Sequence, residues 1–221
     1  MSYFTEEFLK FFHALAKNNS KAWFDANKKW YETAVKQPFA AFVEEMISRI
    51  RAEDSTVAIA AKEAIFRLNR DIRFSKDKRP YKEQMAANIS AAGRKSHEEP
   101  GFYLQFGADK VMIGGGAYMV ENENLYKIRH AIVKHPGEFD ALLNDKEFKK
   151  KYGTLQGEQN KVLPSEFKAH FAKQPLVANK QFYYMAELEA ETILKKNLPD
   201  IIMQYYHAGK TMNAFLKRAM R

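Results

Sequence analysis

The sequence predicts an α+β fold: a mostly antiparallel sheet of about four to six strands, with N-terminal and C-terminal helices packed on it, in a single domain. Three observations carry this. Residues 1–54 show helical hydrophobic spacing, residues 60–120 hold short strand-like runs broken by turn residues, and residues 121–221 return to helical spacing. No repeat, linker or low-complexity segment separates these blocks, so 1–221 reads as one domain.

Thr5, Glu6 and Glu7 ahead of Phe8, Leu9, Phe11, Phe12 and Leu15 give an N-cap, an acidic first turn and an apolar stripe, predicting a helix from Thr5 to Ala16. Ser20 caps a second helix whose Trp23, Phe24, Trp30 and Tyr31 fall close together. Pro38 suits the first turn of a third, in which Phe39, Phe42, Val43, Met46, Ile47 and Ile50 recur at helical spacing. After Asp54-Ser55 the texture changes. Ile65 to Phe74, Gln84 to Ala91, Gly101 to Phe106 and Lys110 to Tyr118 read as strands, the last two joined as a hairpin through Gly107-Ala108-Asp109. Gly114-Gly115-Gly116 marks a bulge or a close approach by another backbone or a ligand, without the following pattern of a phosphate loop. A helix from Asn122 to His135 stops at Pro136-Gly137, and one or two short helices end in Lys149-Lys150-Lys151 before Gly153. Thr154 to Lys180 is mixed, Gln181 to Glu187 is a last strand, and Pro199 starts a final helix.

The run from Arg67 to Lys82 holds seven basic and two acidic residues, so it carries +5 of the chain's formal +9. If residues 65–74 are extended, Arg67, Asn69, Asp71 and Arg73 share a polar face, while Arg70 intrudes into the apolar row of Phe66, Leu68, Ile72 and Phe74. Arg70 must then meet a carboxylate or reach the sheet edge. The segment after Ser75 can fold back with Asp77 as turn former, bringing Lys78 and Tyr81 to the same place. An anion needs donors such as Arg67, Arg73 and Lys78. Asp71 and Asp77 are there to orient them or take a proton, and Tyr81 to donate a hydrogen bond. Asn27, between Trp23 and Tyr31 at helical spacing, reads either as bonded to backbone within the core or as standing at the mouth of this site.

The spacing Arg67-x-x-Arg70-Asp71-x-Arg73-Phe74-x-x-Asp77-Lys78-x-x-Tyr81 resembles the signature of the bacterial family domain of unknown function 2461. The resemblance extends to Trp23-Phe24 with Asn27 and Tyr31, to Gly101-Phe102-Tyr103-Leu104, to Gly114-Gly115-Gly116, and to Leu125 with Ile128-Arg129. It implies a single α+β domain of about this length and carries no substrate or reaction.

The expected function is binding of a small anionic, phosphate-bearing ligand at Arg67, Arg70, Arg73, Lys78, Tyr81 and Asn27. Catalysis, if present, would fall to Asp71, Asp77 or Tyr81. Two alternatives stand beside it: a nucleic-acid binding module, with Phe74 and Tyr81 as stacking platforms, and an internal ion-pair staple within a structural or interaction protein. No resident cofactor is identified. The absence of cysteine excludes disulfides and thiolate sites, and the six histidines show no metal-ligand spacing, although the loop around His97 offers a weak cation candidate. Without an apolar run long enough to span a bilayer or a leader-like start in Met1 to Lys10, the cytoplasm is the expected location, with no membrane partner and no oligomeric state implied.

Overall fold

The structure, a computed structural model, describes residues 2–95 and 98–221. The chain is α+β: of the described residues, 54% are helical and 16% lie in strands or isolated bridges. Helices α1 (Glu6–Lys17), α2 (Lys21–Ala26), α3 (Lys28–Trp30), α4 (Gln37–Glu53) and α5 (Ala61–Ala64) precede strands β1 (Gln84–Ile89), β2 (Gly101–Gly107) and β3 (Lys110–Ala117). Helices α6 (Asn122–Lys134), α7 (Pro136–Asn144), α8 (Lys146–Tyr152) and α9 (Ser165–Phe171) follow, then β4 (Phe182–Glu189) and α10 (Leu198–Ala219). The four strands form one antiparallel sheet in the order β1-β2-β3-β4. No helix among the described residues is long and apolar enough to cross a membrane.

Chain contacts cluster in two compact units. The first holds the residues up to Arg94 with Tyr103–Ile113 and Glu187–Met203. The second holds Gly114–Ala186 and Gln204–Arg221 with 98–102 and Lys95. In the first, Phe8, Phe39 and Phe42 pack edge-on and tilted around Phe4 and Phe106, which also touch each other. Phe11 is the hub of a second aromatic cluster, touching Trp23, Phe24, Trp30 and Tyr31 with ring centroids 5.3–6.4 Å apart. The proximity read from helical spacing is therefore real, but its basis is different. Helix α2 ends at Ala26, and Asn27 turns its amide back to donate to the Trp23 carbonyl at 2.9 Å, so Trp23 and Tyr31 do not share one uninterrupted helix.

From Tyr31 to Lys36 the helix widens into a π-turn, with the Gln37 N–H donating to the Glu32 carbonyl, before α4 begins. Pro38 explains the widening. Proline has no N–H to give the carbonyl four residues back and its ring would strike it; an extra residue in the preceding turn moves that carbonyl aside. Pro38 thus occupies a first turn as expected, in a rod that continues rather than starts there.

One expected strand is corrected. Residues 65–74 do not form a strand; they meet the rest of the unit through two isolated antiparallel bridges, Ile65 with Ala87 and Asn69 with Tyr81. Phe66 N–H donates to the Ala86 carbonyl at 2.9 Å, Lys82 N–H to Leu68 at 2.9 Å and Arg70 N–H to Pro80 at 2.8 Å. The alternation survives only as far as Ile72, with Leu68 buried, Phe66 and Ile72 partly so, and Arg67, Asn69, Asp71 and Arg73 exposed; Phe74, expected in the apolar row, stands in solvent. The ladder stops because its partner at that point is Pro80, which has no N–H to return.

In the second unit, Tyr184 is fully enclosed and donates its hydroxyl to the Gly209 carbonyl at 2.9 Å. A Cβ on Gly114, Gly115 or Gly209 would collide with Tyr184 or its backbone, and Gly116 sits at φ +96° against Phe182. Asn213 closes the same place, accepting from Gly116 N–H at 2.8 Å and donating to the Gly101 carbonyl at 3.0 Å. The triple glycine is a close approach between the chain's own strands and helix.

Candidate functional site

The basic run folds back on itself, as the turn chemistry around Asp77 requires. Asn69 faces Tyr81, and the intervening loop is sewn by short-range ion pairs. Arg70, the intruder in the apolar row, donates Nη1 to Asp77 Oδ2 at 2.5 Å. Arg79 grips the same carboxylate through its backbone N–H and Nε and through Nη2 at 2.7 Å, and reaches Glu83 Oε1 with Nη1 at 2.5 Å. Arg79 first, and then Arg70, hold the Asp77 carboxyl well below the usual carboxylate range. Asp71 is lowered likewise, chiefly by Arg73, whose Nε and Nη2 donate to it at 3.0 and 2.7 Å. Lys78 donates Nζ to the Ile72 carbonyl at 3.0 Å.

A cleft of about 430 Å³ opens beside this network, lined by Arg70, Asp71, Asp77, Arg79, Tyr81, Lys82, Glu83 and Gln84. Of the residues singled out from sequence, Arg70, Asp71, Asp77 and Tyr81 come together here. Arg67 stands close enough for its charge to act on both Asp71 and Lys82. Arg73 and Lys78 belong to the loop without lining the cleft, and Asn27 is elsewhere, spent on the Trp23 carbonyl. Tyr81 is buried with its ring stacked on Phe24, centroids 4.2 Å apart at 22°, so its face is no platform for a base. Phe74, at the other end of the loop, is 95% exposed with the Arg73 guanidinium 5.8 Å from its ring centre.

Two residues that sequence reasoning passed over matter. Asn19 pairs with the backbone of Tyr81 at both ends, accepting its N–H at 3.1 Å and donating to its carbonyl at 3.0 Å, while also reaching Glu83. Lys82 is half-buried, and among the described residues its ammonium makes no ion pair or hydrogen bond; it lies 5.6 Å from the centre of the Phe66 ring. Burial depresses its pKa first, and Arg67 and Arg70 push the same way. The signal for Lys82 was present in the run, as a cation two places after Pro80 among other cations; Asn19 had none.

No group of three or more His, Asp or Glu side chains gathers among the described residues in a way that could hold a metal ion. The cation candidate around His97 falls on Ser96 and His97, which lie outside the described residues.

The arrangement is that of a small α+β protein carrying a charged, ion-paired loop beside an open cleft. The chain belongs to the DUF2461 family, described as conserved hypothetical protein, whose family model matches residues 7–215. No curated protein matches it significantly.

Proposed function

We propose that the cleft binds a small phosphate-bearing anion, with Lys82 as its principal cation and Arg67 beside it. The observation that carries this reading is the unpaired, half-buried ammonium of Lys82 next to two guanidiniums. Such a cluster raises the energy of the empty protein, and an incoming anion removes the penalty. Arg70 and Arg79 are spent on Asp77 and Glu83 and brace the cleft wall. Asp71 orients Arg73, while Lys78 fixes the loop through Ile72. A pure staple accounts for these pairs but gives Lys82 nothing to do. The reading places the protein in the cytoplasm, with which a chain lacking cysteine is compatible.

Lys82→Met, which keeps the aliphatic stem, separates the two roles. In titration calorimetry with inorganic phosphate the variant loses about 10-fold to 100-fold in affinity, the worth of a charge-assisted hydrogen bond. Without ligand it melts no lower than the parent, and about 1 °C higher if the like-charge repulsion is relieved. Because the folded pKa of Lys82 is depressed, its charge is lost earlier on the alkaline side than that of an ordinary lysine. Phosphate affinity therefore falls as pH rises toward that lowered value, and stability of the empty protein rises over the interval between it and the unfolded value. Unchanged phosphate affinity in Lys82→Met would defeat the reading.

A second reading, a nucleic-acid module, is favoured by one observation: Phe74 stands in solvent among the cations of the loop, with Arg73 over its ring.

A further inference from the structure

The lining of the cleft is balanced: Arg70, Arg79 and Lys82 face Asp71, Asp77 and Glu83, three cations against three carboxylates. A site for a bare polyanion would carry an excess of cations throughout. Which atoms remain available narrows the ligand further. Both oxygens of Asp77 are taken by Arg70 and Arg79, and both oxygens of Asp71 by Arg73. Glu83 uses Oε1 for Arg79 and Asn19, leaving Oε2 to accept. The Gln84 amide and the Tyr81 hydroxyl take no bond among the described residues. The Lys82 ammonium, Glu83 Oε2 and the polar groups of the Gln84 and Tyr81 side chains, with no partner among the described residues, therefore belong to residues that line about 430 Å³, a volume typical of small-molecule sites.

We infer that the ligand is a phosphate monoester of a polyhydroxylated compound, of the sugar phosphate class: its phosphate meets Lys82, and its hydroxyls donate to Glu83 Oε2 and exchange hydrogen bonds with Gln84 and Tyr81. This rests on the anion reading of the same cleft. A hydroxyl both donates and accepts, which suits an acceptor-only carboxylate oxygen, an amide and a phenol together. A second or third phosphate would instead be driven against Glu83 and Asp71.

The test is calorimetry on the full chain with four probes: ribose phosphate, inorganic phosphate, pyrophosphate and ribose. Ribose phosphate is expected to bind at least 10-fold tighter than inorganic phosphate, and ribose alone not measurably. Tyr81→Phe keeps the ring on Phe24 and removes only the hydroxyl; Gln84→Ala removes the amide. Each should cost about 5-fold to 10-fold for ribose phosphate and leave inorganic phosphate within about twofold, while Lys82→Met weakens both. If inorganic phosphate or pyrophosphate binds as tightly as ribose phosphate, or if both polar variants leave the ribose phosphate affinity unchanged, the sugar phosphate assignment is overturned and the anion reading stands. If no phosphate-bearing probe binds, both fall.

Discussion

Asn19 does for Tyr81 what a neighbouring strand would do: it supplies one donor and one acceptor to a backbone that its own ladder leaves unpaired. Asn19→Ala orphans both groups and loses the contact to Glu83, so it should cost about 2–3 kcal/mol in denaturant unfolding, with the loss localised by faster amide exchange around residues 79–83. A loss below about 0.5 kcal/mol would mean that water replaces the amide without penalty. Nothing in the sequence announces this residue. Its partner lies 62 positions away, and an asparagine after a helix reads as ordinary turn chemistry. Arg70 is the opposite case. An arginine in an apolar row had to meet a carboxylate or reach the sheet edge, and the fold-back of the chain supplies Asp77 as the carboxylate. The stabilisation from Asp71 and Asp77 has a defined sign: both folded pKa values are lowered, so it is present in full above the unfolded carboxylate value of about 3.9 and is lost as pH falls through the lowered values.

At the level of elements, periodicity located the β2–β3 hairpin, β1, β4 and the helices α6 and α10 because each buries one continuous face. It misread residues 65–74 because side-chain alternation reports which way residues point and not whether a backbone partner exists. Leu68 and Arg67 alternate as in a strand, yet the neighbour is Pro80. The π-turn was illegible for a related reason: one extra residue shifts the helical phase without changing composition. Deleting exposed Thr33 together with Pro38→Ala should convert Tyr31–Lys36 into regular α-helix while keeping Tyr31 and Phe39 on their buried faces. The double change is expected to melt within a few degrees of the parent. Deletion with Pro38 retained should cost about 3 kcal/mol, the price of proline inside an α-helix. Equal melting of the two would sever the link between proline and turn.

For the molecule as a whole, charge is the property most easily misjudged from composition. Outside residues 67–82 the surplus is nine minus five, or four, and within the run Arg70, Arg73 and Arg79 are already matched to carboxylates. The protein should therefore behave as a weak polyanion binder. A gel-shift assay with single-stranded RNA is expected to show binding only at low salt, lost by about physiological ionic strength and weakened several-fold by Phe74→Ala. Tight binding that survives moderate salt would promote the nucleic-acid reading over the anion cleft. The sequence thus located the charged run beside which the cleft opens. How much of its charge was free depended on pairings that only the fold-back defines.

The Arg70–Asp77 pair has one more consequence. It joins two residues seven positions apart at the root of the loop that carries Phe74, in a chain with no cysteine to do so covalently. The loop is closed by a clasp rather than a weld. Opening it costs the Arg70–Asp77 ion pair and the Lys78 hydrogen bond to the Ile72 carbonyl and releases the entropy of a short segment, with none of the Phe11 ring contacts among the bonds broken. High ionic strength should therefore loosen the loop tip while the rest of the unit stays folded, giving the protein a local, reversible response to its ionic surroundings.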